Sequence, residues 1–530
     1  MVSSAHGWLR VLSLALGSGA LLSSCFAAAE DCARTLTCDV GVSAAGGAGA
    51  TGGAGGTGGA PDAGPQCNAD PGEAMAVDDC GIFVSNSLGS DMNPGTRIAP
   101  VKTIEFALQL AAHEKHVVYA CAELFQEAVA MPAGLTLVGG FACADNWAYV
   151  GGTTRTQIEP MVSAVALTFL KGNGELSRVV DVHAEGPNAS DPGASSIAAL
   201  AREGTNVKLK RCALVANHGA AGKLGAPGDE HDMPADAGTS GHVGGDACTA
   251  DMVSGGAQVK NSCGGLTSIG AQGGNGGLTS GTAGADGQPA PVPNPQGHGL
   301  GGIGDVPGLT CTGGEVGADG ANGKEALGAH GPGHLTEIGY VADAASDGDD
   351  ALPGQGGGGG GGRKAGALFC GMGVKGGAAG GSGGSGGCGG KGGKGGGSGG
   401  SSIALVSLTP DVNLIDCHLT AGDAGDGGNG GVNQIGGAPG IGGEGGLGKN
   451  GSGFGCAGGQ GGKGGNGGNG GGGLGGSSIA LAFTGQMPQL NGVAVLLAGM
   501  QGKGGYGGNP SLMGSMGENG IAQPTAALLP

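Results

Sequence analysis

Ser401 to Asp423 reads SSIALVSLTPDVNLIDCHLTAGD, and other stretches of the chain share its scheme. Ser195-Ser196-Ile197-Ala198 and Ser477-Ser478-Ile479-Ala480 repeat its opening tetrapeptide. Leu414 and Leu490 stand at one offset from the first serine, Cys417 and Val493 at a second, Leu419 and Val495 at a third. The earliest copy fits with one extra residue, at Leu209, Cys212 and Leu214, and residues 163–184 form a degenerate copy. Alternating apolar positions mark strands. A unit of roughly 22 residues cannot bury its inner face alone and must stack on its neighbours, as one coil of a solenoid does. Leu414 and Leu490 are therefore expected to point inward on adjacent coils.

Between the copies lie glycine-rich insertions, from near His218 to Gly400 and again between the second and third copies. Gly383 to Gly397 reads GGS-GGC-GGK-GGK-GGG, and Gly458 to Gly472 reads GGQ-GGK-GGN-GGN-GGG. The period is three, but proline is too scarce for collagen. Two readings stand: three-fold extended strands of the polyglycine-II kind, or a solvated, disordered brush. The insertions leave the repeat at equivalent points, after Leu214 and Leu419, as does the tail after Val495. In a stack they emerge side by side.

Ordered structure is expected from near Cys80. Ile82-Phe83-Val84 reads as a strand, Gly89 to Thr96 as turn chemistry, and Thr103 as a helix cap. Ile104, Ala107, Leu108 and Ala111 share one helical face. Val117-Val118-Tyr119 and Leu135 to Phe141 read as strands, and Phe125, Glu127 and Val129 alternate as one half-buried strand. The order IFVSNSLGSDMNPGT…TIEFALQLA…VVYACAELFQEAV…LTLVGGF resembles the opening of right-handed parallel β-helix proteins of the pectin-lyase-like superfamily. The resemblance covers about 60 residues. It implies an all-β fold whose short N-terminal helix caps the coil.

The first residues bear on location. Arg10 precedes an uncharged stretch, Val11 to Leu22, shorter than the about 20 apolar residues a spanning helix needs. It ends in Leu22-Ser23-Ser24-Cys25, which resembles a bacterial lipobox. That resemblance implies cleavage before Cys25 and acylation of Cys25, and an exported protein held on the bacterial outer membrane or cell surface. The whole chain resembles glycine-rich bacterial surface lipoproteins of unknown role.

Glycine supplies 134 of 530 residues, and aromatics only 3%. Such a chain has little side-chain volume for a core. Its net charge is −19, which argues against nucleic acid as a partner. Of 15 cysteines, 14 remain once Cys25 is acylated. Export favours disulfides, and Cys32 with Cys38, Cys67 with Cys80, Cys121 with Cys143 and Cys248 with Cys263 would close short loops, although sequence alone leaves the connectivity open.

Catalysis finds little footing. Gly297-His298-Gly299 matches a tripeptide of pectin-hydrolysing members of the superfamily, but it lies in PNPQGHGLGG, and their Asn-Thr-Asp and Arg-Ile-Lys partners are missing. Asp349-Asp350 also lies in a loop stretch. The acidic clusters Gly228 to Asp232 and Asp343 to Asp350 offer the hard oxygens that calcium takes, with Asp343, Asp347, Asp349 and Asp350 as the candidate ligands. The competing reading is a solvated acidic loop. No other metal or cofactor is expected.

The expected organisation is a lipoprotein signal (1–24), a lipid-anchored tether (25–66), a β-helix part with its helix (67–217), an insertion (218–400), a coil (401–422), an insertion (423–476), a coil (477–500) and a glycine-rich tail (501–530). The expected role is structural, adhesive or interactive, with the membrane as partner through the lipid and with polysaccharide or other surface proteins as ligands. The alternative is polysaccharide binding or processing along a coil face.

Overall fold

The computed structural model describes residues 76–113, 117–162, 164–365, 367–371, 375–409 and 411–530. Three parallel sheets carry most of the strands. The first runs Gly81–Val84, Val117–Cys121, Thr136–Ala142, Leu176–Val180, Asn206–Lys210, Val412–Ile415 and Gln489–Asn491, with Ala148–Tyr149 antiparallel beside Thr136–Ala142. The second runs Leu124–Phe125, Thr156–Ile158, Val182–Gly186, Ala213–Ala216, His418–Ala421 and Val495–Leu497. The third runs Val129–Met131, Leu167–Phe169, Ser196–Ala201, Ser402–Ser407, Ser478–Phe483 and Ala522–Ala527. From Leu167 the chain visits the third, first and second sheets in turn, then re-enters the third at Ser196. This nearly all-β order is compatible with a parallel β-helix.

The repeat sets the register. Ser196 pairs with Ser402 and Ser402 with Ser478; Leu209 pairs with Leu414 and Leu414 with Leu490. In the first sheet Val207 and Leu209 are buried while Lys208 and Lys210 are half-buried, the alternation of a strand with one inner face. In the third sheet Ser402–Ser407 is buried throughout. Ala404 and Leu405 join the main core, whereas Ile403 and Val406 pack on the other face with Leu335 and Leu528. Cover on both faces explains why this strand reads as an unbroken apolar run.

The helix Ile104–His113 buries Ile104, Ala107, Leu108 and Ala111 in the core that also holds Ile82, Val84 and Val118. Thr103 Oγ1 accepts from Phe106 N at 3.3 Å, and the Glu127 carboxylate accepts from Ile104 N at 2.8 Å and Glu105 N at 3.1 Å. Glu127 thus sits in a corner. The single alternating strand expected over Phe125, Glu127 and Val129 is two strands, Leu124–Phe125 and Val129–Met131, in different sheets.

The last copy of the repeat also departs from the expected register. His418 pairs with Val495 and Leu419 with Leu496, so Leu496 takes the place expected for Val495. Val493, which the repeat sets level with the buried Cys417, is 68% exposed. One extra residue enters at the turn, where Gly492 has φ +68° and Val493 N donates to Asp416 Oδ1 at 2.9 Å. The stretch expected as a glycine-rich tail also contains the strand Ala522–Ala527, which pairs with Ser478–Phe483.

The insertions leave from paired residues, Ala216 and Ala421. Their glycine-rich runs pack backbone against backbone. Gly356–Gly362 is buried along its length. Gly357 N and Gly360 N donate to Gly384 and Gly381; Gly356, Gly359 and Gly362 to Gln288, Ala285 and Thr282; Gly358 and Gly361 to Glu315 and Thr312. Its carbonyls accept in the same rotation, Gly357 and Gly360 from Ala271 and Gly274, Gly359 and Gly362 from Gly302 and Asp305, Gly358 and Gly361 from Gly459 and Cys456. Each residue turns a third of a circle, as an extended helix with three residues per turn requires. A Cβ on Gly359 would lie 1.9 Å from Gln272 O, on Gly360 2.0 Å from Cys456 O, and on Gly361 1.9 Å from Ile303 O. All three sides are closed to side chains.

Glycine content per triplet therefore reports depth in the bundle. The run 383–397 packs glycine on two faces and bears a residue on the third, where Ser385 and Cys388 are buried against the strand of Thr239 and Asp236 and Lys391 reaches the surface. The outer segment from Gly219 to Gly228 packs one glycine face, donating from Gly219, Gly222, Gly225 and Gly228 to Asp423, Asp426, Asn429 and Val432. Its other positions carry side chains, among them Lys223 and Leu224. Ordering glycine costs more entropy than ordering other residues. Each backbone bond contributes a net of about 0.5–1.5 kcal/mol against that cost.

Disulfides fasten the bundle. Cys248–Cys370, Cys263–Cys388 and Cys311–Cys456 span 122, 125 and 145 residues, and Cys121–Cys143 closes a short loop in the sheets. The pair Cys248 with Cys263 is not formed. Cys263 ends the strand Val259–Cys263, whose hairpin partner places Ser268 Oγ 2.7 Å from Gly386 N, so Cys263 meets Cys388 instead. Cys80 is disulfide-bonded, while Cys25, Cys32, Cys38 and Cys67 lie outside the described residues. Cys212 and Cys417 are free and buried at matching places on adjacent coils.

Candidate interaction surface

A three-fold strand at the edge of the bundle points one N–H per triplet where no neighbouring carbonyl reaches. Side-chain oxygens take these protons in rows. Asp423 accepts from Met500 N at 2.8 Å, Asp426 from Lys503 N at 2.7 Å and Asn429 from Tyr506 N at 2.9 Å. Asp319, Asn322 and Glu325 do the same for Lys463, Asn466 and Asn469. Carboxylates and amides can accept and an ammonium cannot. The acidic balance of the chain thus has a structural cause at these positions.

The calcium candidates belong to this scheme. Asp347 Oδ1 accepts from Gly395 N at 2.8 Å and its Oδ2 pairs with Lys394 Nζ at 3.0 Å. Asp350 Oδ1 accepts from Gly392 N at 2.7 Å. Asp349 bonds through its backbone to Lys324 and Gly468, and the carbonyl of Asp343 accepts from Ser398 Oγ. The carboxylates are strung along one strand rather than gathered. Among the described residues no group of three or more His, Cys, Asp or Glu could hold a metal ion. The Gly395 amide, and then Lys394, hold the Asp347 carboxyl below its usual range.

His298 lies in a turn between Gly297 and Gly299, both with positive φ. Its ring meets Gln296 Oε1 at 2.9 Å, and its carbonyl accepts from Gln355 Nε2. No strand of the three sheets carries it. In the other acidic cluster, Asp229 Oδ1 accepts from His231 N at 2.9 Å and Met233 N at 3.0 Å, closing a loop on itself.

Apolar residues also stand in a row. Val432, Ile435, Ile441 and Leu447 are 47%, 54%, 68% and 59% exposed along one outer segment. Residues three apart on such a strand repeat about every 9 Å, from a rise of about 3.1 Å per residue. The bundle presents these side chains in rows with a hydrogen-bonded backbone behind them.

One polar cluster escaped the sequence reading. Asp181 is fully buried and bonded to Arg211 through both oxygens, at 2.8 and 2.6 Å, and Tyr149 Oη donates to it. Burial, reinforced by Asp181, pushes the Tyr149 hydroxyl up to about 12. Asp181 and Arg211 occupy matching turns of successive coils, with φ of +56° and +53°. Their equivalence was the available signal. The cluster locks two coil corners together. The chain matches no protein-family model, no curated protein and no solved structure.

Proposed function

We propose that this chain is an exported, lipid-anchored bacterial surface protein. Its right-handed parallel β-helix carries a polyglycine-II-like slab that does structural, adhesive or interaction work. One observation carries the reading: glycine fills most packed faces of the bundle, with a few small or hydrogen-bonded residues such as Ala379, Ser382 and Ser385 among them, so most larger side chains are left in rows on the outside. An architecture that spends a quarter of its residues on close-packed backbone gains a thin, stiff, side-chain-bearing surface. A large catalytic cavity is not what this packing builds. The lipobox-like Leu22 to Cys25 and the glycine-rich stretch Gly46 to Pro65 support a tethered position. Among the described residues no helix is long and apolar enough to cross a membrane.

The test removes the larger of the two insertions, and with it most of the slab. Ser402 Oγ donates to Ala216 O at 3.4 Å, so a short linker can replace residues 219–400. Full chain and shortened chain are then compared on an array of bacterial and host glycans and on isolated cell envelopes. Binding by the full chain that is lost with the slab is expected. Unchanged binding by the shortened chain, or no binding by either, overturns the reading.

A further inference from the structure

The regular bundle is interrupted where residues 229–234 leave it. Gly228 N donates to Val432 O, and the next bond of that pair of strands is Ala235 N to Ile435 O. Residues 229–234 therefore stand against only 433–434, and the surplus loops outward. Opposite the loop is the turn Gly264-Gly265 of the hairpin Val259–Cys263/Leu266–Gly270, with φ of +56° and +95°. Between them lies a pocket of about 490 Å³ floored by Cys388 to Lys391.

The floor shows what the gap lacks. Along one face of that strand, Gly380 N donates to Gly274 O, Gly383 N to Ala271 O, Gly386 N to Ser268 Oγ, Gly392 N to Asp350 Oδ1 and Gly395 N to Asp347 Oδ1. The residue missing from this row is Gly389. Among the described residues no acceptor reaches its N–H, and Gly389 lines the pocket. The walls are set in place beforehand. Gln434 Nε2 donates to Met233 O at 3.0 Å, Asp229 closes its own loop, and the Cys263–Cys388 disulfide joins wall to floor.

The other lining groups define the chemistry. Asp229, Asp236, Asp350 and Lys391 are among the lining residues, one Asp350 oxygen being taken by Gly392 N, while Met233 and Leu266 stand 62% and 48% exposed. Acceptors, donors and apolar surface meet in a preformed concavity of ligand size. An extended peptide would need a row of free backbone groups, and the floor offers one. A simple anion would meet the carboxylates. Vicinal hydroxyls both give and take hydrogen bonds, and a sugar ring has an apolar C–H face.

We propose that this pocket binds a hydroxyl-rich sugar unit. Gly389 N–H and Lys391 donate to its oxygens, Asp236 and Asp350 accept from its hydroxyls, and Met233 and Leu266 cover its C–H face. The inference deepens the interaction reading above and rests on it.

The experiment uses the full chain and neutral hexose and N-acetylhexosamine oligosaccharides, with affinity read by calorimetry and protection of the 388–391 amides read by hydrogen exchange. Asp236 holds Cys388 N through its backbone carbonyl, so Asp236→Ala leaves the bundle intact. Asp236→Ala and Lys391→Ala are each expected to weaken binding tenfold or more at unchanged melting temperature. Lys394→Ala, one triplet along and outside the pocket, is expected to bind normally. Failure of every oligosaccharide, or affinity in Asp236→Ala and Lys391→Ala unchanged from that of the unmodified chain, overturns the pocket. So does binding of a glycine-rich peptide in place of sugars. Loss of binding with the slab but not with these two variants leaves the interaction reading standing and removes only the pocket.

Discussion

Gly464 lies so close to Cys388 that a Cβ built on it would stand 1.9 Å from the Cys388 carbonyl oxygen. Gly467 bears the same relation to Lys391, at 2.1 Å. Real carbon and oxygen atoms do not approach so near, so a side chain there must push two backbones apart and break their hydrogen bonds. Gly464→Val and Gly467→Val should each destabilise the chain by about 1–3 kcal/mol or more. Lys463→Val, at an exposed position of the same run, should cost little. Thermal melts of the three variants check this, and equal melting temperatures would contradict the bundle. Hydrogen exchange adds an independent reading: amides of 356–362, 383–397 and 458–472 should be protected.

Leu414 tests the coil register. It is fully buried between Leu209 and Leu490, whereas Asn413 faces outward and accepts from Asn491 Nδ2 at 2.7 Å. Leu414→Asp places an unpaired charge in the core, at a cost of several kcal/mol. Asn413→Asp keeps the accepting oxygen and should be nearly neutral. Equal loss of soluble protein in the two variants would contradict the register.

Where side chains carry the contacts, the sequence was legible. The serine-led repeat pointed to the pairs Ser196 with Ser402 and Leu414 with Leu490, and helical spacing pointed to the buried face from Ile104 to Ala111. Val495 was matched to Leu419 in place of Leu496 because one inserted turn residue shifts every later position without changing the apolar pattern. The bundle was legible as a three-residue period but not as a set of neighbours. Gly357 meets Gly384 across the chain through backbone alone, and one glycine carries no mark that distinguishes its partner from another. The long disulfides were hidden for the same reason. The pocket had a faint signal: the three-residue period lapses over Gly228 to Pro234.

Thiol chemistry should divide the cysteines sharply. Alkylation of the denatured, unreduced protein, followed by mass spectrometry, should label Cys212 and Cys417 among the described cysteines. Label on Cys263, Cys311, Cys388 or Cys456 would contradict the bracing of the bundle. Replacing Cys311 and Cys456 together by Ser should destabilise the chain by about 4–5 kcal/mol, the loop entropy expected for so long a closure.

Anchoring is tested at Cys25, outside the described residues. Under the proposed anchoring, Cys25→Ser should move the protein from the membrane fraction to the soluble fraction, since acyl chains on Cys25 would supply about 0.8 kcal/mol per buried methylene. A variant that still pellets with membranes after carbonate washing would remove the lipid anchor from the proposal.

Acid should loosen the outer rows before the core. Asp347 accepts the Gly395 N–H and pairs with Lys394, and both interactions favour its charged form, so its folded pKa lies below the ordinary value. A depressed carboxyl contributes stability above its unfolded pKa and loses it as the pH falls through the folded value. Glu518, which accepts from Gly331 N at 2.9 Å, and Asp229 are shifted the same way. The melting temperature should therefore hold from neutral pH down to the ordinary carboxylate range and decline below it. Asp347→Asn keeps an oxygen for Gly395 N but has no charge to titrate. It should melt slightly lower than the unmodified chain at pH 6, because an exposed ion pair contributes little, and its decline in acid should be shallower. Parallel acid profiles for the two proteins would show that the Asp347 carboxylate does not couple to folding.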